Sequence, residues 1–304
     1  MPSQTPSDLT VRTGAGGYNP PPPAQGTRFD RGWFLFFAAL IILVLLVFAV
    51  GQKFTSEIQV GGVTIHIRLA EPYGRIVSFL LDGVLVTLKL TLISFVCILV
   101  VGMIGGLGRV SGNRFFGGIA SLYVEIVRGI PVLVWLLWIW FALPQLLQKL
   151  GQSLADSAPG IGQWLMNIKL QPLTAAVFGL TFAYGAYMTE IFRAGIQSIP
   201  KGQMEAARSL GMNYIQSMRY IVLPQAVRVI LPPVSNEFVT LLKDTSLVSI
   251  LAVSDLTRRG REFVATSFLS FATFTMVALL YLLMTLFFTR LSTALERRLT
   301  VEKR

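Results

Sequence analysis

Polar and ionisable side chains interrupt an apolar stretch between residues 226 and 253; they are Asn236, Glu237, Thr240, Lys243 and Asp244. On a helix, Glu237, Thr240 and Asp244 fall at i, i+3 and i+7 and share one face. Asn236 and Lys243 are seven residues apart and share an adjacent strip. A charged residue inside a bilayer costs about 2.5 to 3.5 kcal/mol on insertion scales, so ionisable residues in a span are candidates for a functional role. This face is therefore a candidate lining for a polar pathway. The same charges could instead pair with neighbouring helices or a second subunit, and the spacing leaves both interpretations open.

Two carboxylate and guanidinium pairs stand at helical spacing elsewhere in the chain. Glu190 precedes Arg193 by three residues, and Glu125 precedes Arg128 by three. Residues at i and i+3 are neighbours on a helix surface, so we interpret both as structural or gating ion pairs rather than as solute contacts. The sequence has one His and one Cys, so it offers neither a cluster of metal ligands nor an intrachain disulfide.

Composition indicates an integral membrane protein. Of the 304 residues 53% are hydrophobic and only 13% are charged, which differs strongly from a soluble domain. The net charge of +11 could suggest nucleic-acid binding. The basic residues are scattered between apolar segments rather than gathered in one stripe, so they are interpreted as topology signals instead.

Apolar segments predict six membrane spans. Residues 1–32 are rich in proline and glycine and are expected to be a disordered cytoplasmic tail. Residues 33–50 form an apolar run of about 27 Å as a helix, close to the bilayer's hydrocarbon thickness of about 30 Å. An extracytoplasmic linker, residues 51–80, comes next. Further spans are expected near residues 84–107, 130–147, 172–191 and 271–288, with a more polar one at 226–253. Gly102 and Gly106, in GxxxG spacing, predict close helix packing.

The distribution of Lys and Arg predicts the orientation. With the N-terminal tail placed inside, fifteen of the 26 basic residues fall in cytoplasmic segments and eight in outer ones. Cytoplasmic loops retain positive charge, so both termini and the loop 198–224 are expected in the cytoplasm of a multi-pass inner-membrane protein.

The loop 198–224 has the signals of two short helices. Ser198 is expected to cap a helix that includes Pro200 near its start and ends at Gly211. Asn213 can cap the second helix, and Pro224 is expected to open the next span, where no N–H is needed. An ordinary amphipathic helix lying on the membrane surface would fit the same pattern.

The loop also carries a longer motif: Glu205-Ala206-Ala207, three residues, Gly211, nine residues, Ile221, one residue and Leu223-Pro224. This motif resembles the signature loop of binding-protein-dependent ABC importer permeases of the type I fold. Three further segments resemble the polar amino-acid branch of that family: Tyr184 to Ile196, Leu241 to Leu247 and Glu125 to Pro131. The resemblance covers about residues 81–295.

The resemblance implies an all-α membrane protein with a five-helix core at 81–295. This chain departs from the family by one extra N-terminal transmembrane helix at 33–50, and a basic tail, 296–304, follows the core. It also implies that the loop docks on a cytosolic ATPase dimer that binds ATP and magnesium. The coupling residues would be Glu205, Ala206, Ala207, Gly211, Leu223 and Pro224. The chain has no Gly-Lys dipeptide and hence no phosphate-binding loop, so it is expected to be neither an enzyme nor a cofactor carrier.

The other partners implied by the resemblance are an extracytoplasmic solute-binding protein and a second permease, either a copy of this chain or a paralogue. The polar face at 236–244 would then meet the ammonium and carboxylate of a polar amino acid, whose identity the sequence does not indicate. Trp135 stands where this branch often has glutamine. Three alternatives remain open: a type I permease for another solute, an ion-gradient-driven transporter, which would normally show internal repeats, and a membrane scaffold.

Overall fold

The computed structural model describes residues 53–60, 63–70 and 72–300, with side chains from residue 72 to residue 296. The N-terminal tail and the expected span at 33–50 lie outside the described residues, as do residues 301–304 of the basic tail.

A β-hairpin occupies part of the segment expected to be a linker. Strand β1 (Lys53–Val60) pairs antiparallel with β2 (Val63–Ala70), in a register that runs from Lys53 opposite Ala70 to Val60 opposite Val63. Both strands are rich in β-branched residues, and a Gly-Gly pair separates them in the sequence, which is a strong hairpin signal. The all-α expectation missed this two-stranded sheet because it weighed only the apolar spans.

The helices that follow are α1 (Tyr73–Val110), α2 (Arg114–Arg128), α3 (Val132–Leu137), α4 (Leu143–Leu154), α5 (Pro159–Met166), α6 (Pro172–Gln197), α7 (Lys201–Ser209), α8 (Tyr214–Ser217), α9 (Leu223–Asp244), α10 (Leu256–Ser267) and α11 (Ser270–Thr300). Among the described residues, four helical segments are long and apolar enough to cross a membrane: Tyr73–Val110, Val132–Leu154, Pro172–Gln197 and Ser270–Glu296. The protein is therefore a multi-pass membrane protein. Helix α1 has 38 residues, about 57 Å at ~1.5 Å per residue, so it begins well before the expected start near residue 84.

A π-helical turn precedes a proline at two places. The Leu143 N–H donates to the Trp138 carbonyl, five residues back, immediately before Pro144. The Leu223 N–H donates to the Met218 carbonyl in the same way, immediately before Pro224. Proline has no N–H and its ring clashes with the carbonyl four residues back, so a wider turn relieves the clash while the helix continues. Pro224 is thus the second residue of α9, close to its expected place at the start of the span, but α8, the π turn and α9 form one continuous helical segment.

The more polar fifth segment is helical but is not among the four apolar spans. Helix α9 contains Pro232 and Pro233 and continues as a 3₁₀ helix (Thr245–Leu251) that ends at Ala252 with φ of 65°. Buried Asp255 then caps α10 by accepting from the Thr257 N–H at 2.9 Å, and burial raises the pKa of this carboxyl group.

The core forms where α1 packs along α6. A Cβ atom added at Gly102 would overlap the Met188 side chain, and one at Gly106 would overlap Phe192. The GxxxG prediction of close packing is therefore confirmed. Leu90, Ile98 and Leu180 are buried in the same cluster, which fixes the relative positions of α1 and α6.

Candidate functional site

The loop between α6 and α9 has the two predicted short helices. Helix α7 ends where the Leu210 N–H donates to the Ala206 carbonyl at 3.1 Å, and Gly211 then adopts φ of +84°. Only glycine takes this left-handed conformation without a steric cost, so the motif glycine terminates the helix as predicted. The Met212 N–H donates to the Ala207 carbonyl at 3.2 Å and completes the turn.

The start of the second short helix is fixed by a reciprocal cap. Asn213 accepts from the Gln216 N–H at 2.9 Å through its side chain, and the Gln216 side chain accepts from the Asn213 N–H at 2.9 Å. This capping box satisfies two N–H groups that the helix leaves free, which confirms the predicted cap at Asn213. The predicted cap at Ser198 is wrong, because the Ser198 hydroxyl donates to the Gly195 carbonyl and so belongs to the end of α6.

The motif residues of α7 differ in their exposure to solvent. Glu205 and Ala206 are exposed, whereas Ala207 is buried against the rest of the chain. Ala207, one of the expected coupling residues, therefore lies on the side of α7 that packs against the rest of this chain.

Two large apolar residues of the loop are far more exposed than sequence reasoning indicated. Leu210 is 82% exposed and Ile215 is 73% exposed. We call the surface formed by Glu205, Ala206, Leu210 and Ile215 the loop surface. Exposed apolar side chains beside charged ones are typical of a surface that another protein covers.

Side chains connect the loop to the long helix α9. Leu223 is half-buried and packs on the core cluster, while Pro224 is exposed after its π turn. The Gln225 side chain donates to the Ile221 carbonyl at 2.9 Å and to the Gln203 side chain on α7 at 3.4 Å. A displacement of α7 would therefore reach α9 through direct contacts.

A second site joins the three helices α2, α6 and α9. The Tyr184 hydroxyl, on α6, donates to the Asp244 carboxylate at the end of α9 at 2.5 Å. The guanidinium carbon of Arg128, at the end of α2, lies 5.2 Å from the centre of the Tyr187 ring. Glu237 lies on α9 seven residues before Asp244, on the same face of the helix. We call Arg128, Tyr184, Tyr187, Glu237 and Asp244 the polar cluster.

Among the described residues, the other residues of the predicted polar face form no hydrogen bond or ion pair with this cluster. The Thr240 hydroxyl donates to the Asn236 carbonyl of its own helix at 3.0 Å. Asn236 and Lys243 are both exposed. Helical spacing predicted one face of Glu237, Thr240 and Asp244 and an adjacent strip of Asn236 and Lys243, and of these five residues only the two in the strip are exposed. The tyrosines and Arg128 were not assigned to the cluster from sequence, because their proximity depends on how three helices pack.

Glu190 is the centre of an ion-pair network near the ends of two spans. Its carboxylate binds Arg193 on the same helix and Arg109 at the end of α1, and Arg193 also donates to Gln197. Arg109 was not predicted as a partner, since it lies on another helix.

The second predicted pair, Glu125 with Arg128, is not formed. Both side chains are exposed, and among the described residues no ion pair joins them; Arg128 instead lies over Tyr187. An exposed ion pair contributes little, so stacking of the guanidinium on an aromatic ring prevails.

Together, the apolar spans, the exposed loop surface and the polar cluster define a multi-pass membrane protein with one surface suited to a partner. The chain belongs to the family of binding-protein-dependent transport system inner membrane components, whose model matches residues 60–301.

Several relatives are similar over most of this chain. The glutamine transport system permease protein GlnP of Escherichia coli (strain K12) is 33% identical over 74% of this chain and 94% of its own length. The arginine transport system permease protein ArgU of Corynebacterium glutamicum is 36% identical over 82% of this chain and 73% of its own length.

Solved structures share the fold. The crystal structure of an amino acid ABC transporter with histidines matches with a TM-score of 0.64 at 34% identity, covering 74% of this chain and 95% of that chain. An inward-facing structure of the MetNI methionine ABC transporter matches with a TM-score of 0.58 at 19% identity, covering 76% of this chain and 99% of that chain. At that identity the second match shows the fold alone.

Proposed function

We propose that this chain is the permease subunit of an ABC importer that moves a polar amino acid across the cytoplasmic membrane by alternating access. The main support for this proposal is the loop surface. A short helix ends at Gly211 in the left-handed conformation, a capped helix follows, and Leu210 and Ile215 are largely exposed to solvent. Membership of the family supports this assignment, and so does the motif from Glu205 to Pro224.

The proposed partner at the loop surface is an ATPase dimer that holds ATP and magnesium, while this chain carries no cofactor and no catalytic residue. The coupling residues are Glu205, Ala206, Gly211, Leu223 and Pro224, with Ala207 supporting the helix from beneath. Gln225 links α7 to α9, so closure of the ATPases would move the helix that carries Glu237 and Asp244.

The polar cluster is the proposed contact for the solute. It offers a guanidinium for a carboxylate group, and carboxylates for an ammonium group. The exposed strip of Asn236 and Lys243 cannot face lipid without a large cost, so we propose that it lines a water-filled pathway beside a second permease. The names of relatives, which include glutamine and arginine transport permeases, favour polar amino acids.

The complete transporter would contain two permeases, as a homodimer or with a paralogue, together with an extracytoplasmic solute-binding protein. We propose six spans for this chain, with both termini and the loop 198–224 in the cytoplasm. The Glu190 network would hold α1 and α6 together at the cytoplasmic ends of their spans and act as a structural or gating contact.

Reconstitution in liposomes tests the proposal. The full-length chain, its ATPase, its binding protein and any second permease are incorporated together, and uptake of radiolabelled amino acids is measured with ATP or with a non-hydrolysable analogue inside. We expect uptake only with ATP. Uptake driven by an ion gradient without ATP would refute the importer proposal and favour a secondary transporter.

A further inference from the structure

A basic cavity of about 400 Å³ lies between the end of α1, the start of α2 and the end of α6. Three arginines line it, Arg109, Arg114 and Arg193, and no carboxylate is among its described lining residues. The proposed transport function uses neither this cavity nor Arg114.

The charges of the cavity are only partly compensated. Glu190 pairs with Arg109 and Arg193 and so neutralises one positive charge. Arg114 is exposed and, in the part of the chain whose side chains are described, forms no ion pair. The cavity therefore keeps two net positive charges, and the N-terminus of the 15-residue helix α2 adds its partial positive charge. Such a cavity favours a phosphate-type oxyanion, which guanidinium groups bind with paired hydrogen bonds.

The position of the cavity relative to the bilayer indicates which phosphate-containing molecule it would bind. Arg109 lies in the last turn of the 38-residue span α1, and Arg193 lies four residues before the end of α6. The cavity is thus placed at the boundary between the bilayer and water, where lipid head groups are concentrated. Basic pockets between transmembrane helices at this depth are typical sites for anionic head groups.

Helix α2 provides a matching surface for lipid chains. Phe115, Ile119, Leu122 and Ile126 recur at i, i+4, i+7 and i+11, so they share one face, and all four are exposed. An apolar helix face that starts beside Arg114 suits acyl chains attached to a bound head group. A free phosphate ion would use the arginines but not this face.

We propose that the cavity binds the phosphate group of an anionic phospholipid, with its acyl chains along the exposed face of α2. The lipid phosphate would contact the guanidinium groups of Arg114, Arg109 and Arg193. Bound lipid would thereby connect α2 to the network that joins α1 and α6.

Lipid binding by the full-length chain, purified in a neutral detergent, tests this proposal. Phosphatidylglycerol is titrated in, and bound lipid is counted by native mass spectrometry. Phosphatidylcholine, which has the same phosphate but no net charge, and inorganic phosphate serve as the two comparison ligands. We expect phosphatidylglycerol to bind more tightly than either one.

Two cavity variants and one control make the test specific. Arg114→Gln should weaken phosphatidylglycerol binding roughly fivefold, the amount expected for one basic residue near an anionic surface. Gly118→Leu keeps every charge but adds bulk at a cavity position where a Cβ would meet no atom within 4 Å, and it should weaken binding as well. Arg208→Gln removes another exposed arginine, which lies outside the cavity, and should leave binding unchanged.

Three results would overturn the proposal. One is equal weakening by Arg114→Gln and Arg208→Gln, which would indicate unspecific attraction to positive charge. Another is unchanged binding in both cavity variants. The third is binding of inorganic phosphate that is as tight as binding of phosphatidylglycerol, which would make the cavity a site for a free anion.

Discussion

The Tyr184 hydroxyl donates a 2.5 Å hydrogen bond to the Asp244 carboxylate and so joins α6 to the end of α9 across 60 residues of sequence. Tyr184 is buried, so its hydroxyl has little access to water as an alternative partner. The bond therefore fixes where the carboxylate stands relative to Arg128 and Glu237.

Removing this hydroxyl should impair transport. In Tyr184→Phe the Asp244 carboxylate loses a charge-assisted hydrogen bond, worth about 1.5 to 3 kcal/mol, which corresponds to at least a tenfold effect. We expect ATP-driven uptake in liposomes to fall by about that factor while the complex still assembles. Tyr187→Phe is the matched control, because it keeps the ring under Arg128 and should have a much smaller effect. Equal losses in the two variants would show that the Tyr184 bond has no special role.

The left-handed turn at Gly211 predicts that a β-branched residue there disrupts docking of the ATPase. Gly211→Val places a branched side chain at φ of +84°, which costs on the order of 1 to 3 kcal/mol and should shift α7. We expect ATPase affinity, measured by pull-down or surface plasmon resonance, to fall by about tenfold or more.

The matched control for this variant is Gly202→Ala. Gly202 lies in α7, and a Cβ atom added there would meet no atom within 4 Å. Alanine also favours a helix. ATPase affinity should stay unchanged in the control. If Gly211→Val also binds normally, the loop geometry is not required for docking.

Exposed apolar side chains of the loop surface should contribute directly to ATPase binding. Leu210 is 82% exposed, and covering such a side chain is worth about 1.5 to 3 kcal/mol. Leu210→Ser should therefore weaken the ATPase complex about tenfold or more. Ile161→Ser changes a 57% exposed apolar residue outside the loop and serves as the control. A normal ATPase complex with Leu210→Ser would place the docking surface elsewhere.

Local signals of the loop could be predicted from sequence, because a few neighbouring residues decide them. Gly211 ends a helix and Asn213 caps one through bonds that span no more than five residues. The contact of Arg128 with Tyr187 could not be predicted in this way. It depends on which faces of two helices meet, and helical spacing gives only the contents of each face.

The same distinction applies to the ion pairs. Glu190 with Arg193 and Glu125 with Arg128 have identical i, i+3 spacing in the sequence, yet only the first pair forms an ion pair among the described residues. Tertiary neighbours make the difference, since Glu190 also meets Arg109 from α1, whereas Arg128 meets the Tyr187 ring.

These two pairs therefore predict different coupling energies in double-mutant cycles. Thermal unfolding of the purified chain is measured for Glu190→Gln, Arg193→Gln and their combination, and then for Glu125→Gln, Arg128→Gln and theirs. The side chains of Glu190 and Arg193 are 26% and 27% exposed, so solvent screens the pair in part. A coupling of about 1 kcal/mol is expected for them, near the upper end for surface pairs. Glu125 and Arg128 should show no coupling beyond about 0.3 kcal/mol, because their side chains do not interact. Equal couplings in both cycles would mean that sequence spacing alone, rather than the packing of α1 against α6, determines which pair stabilises the fold.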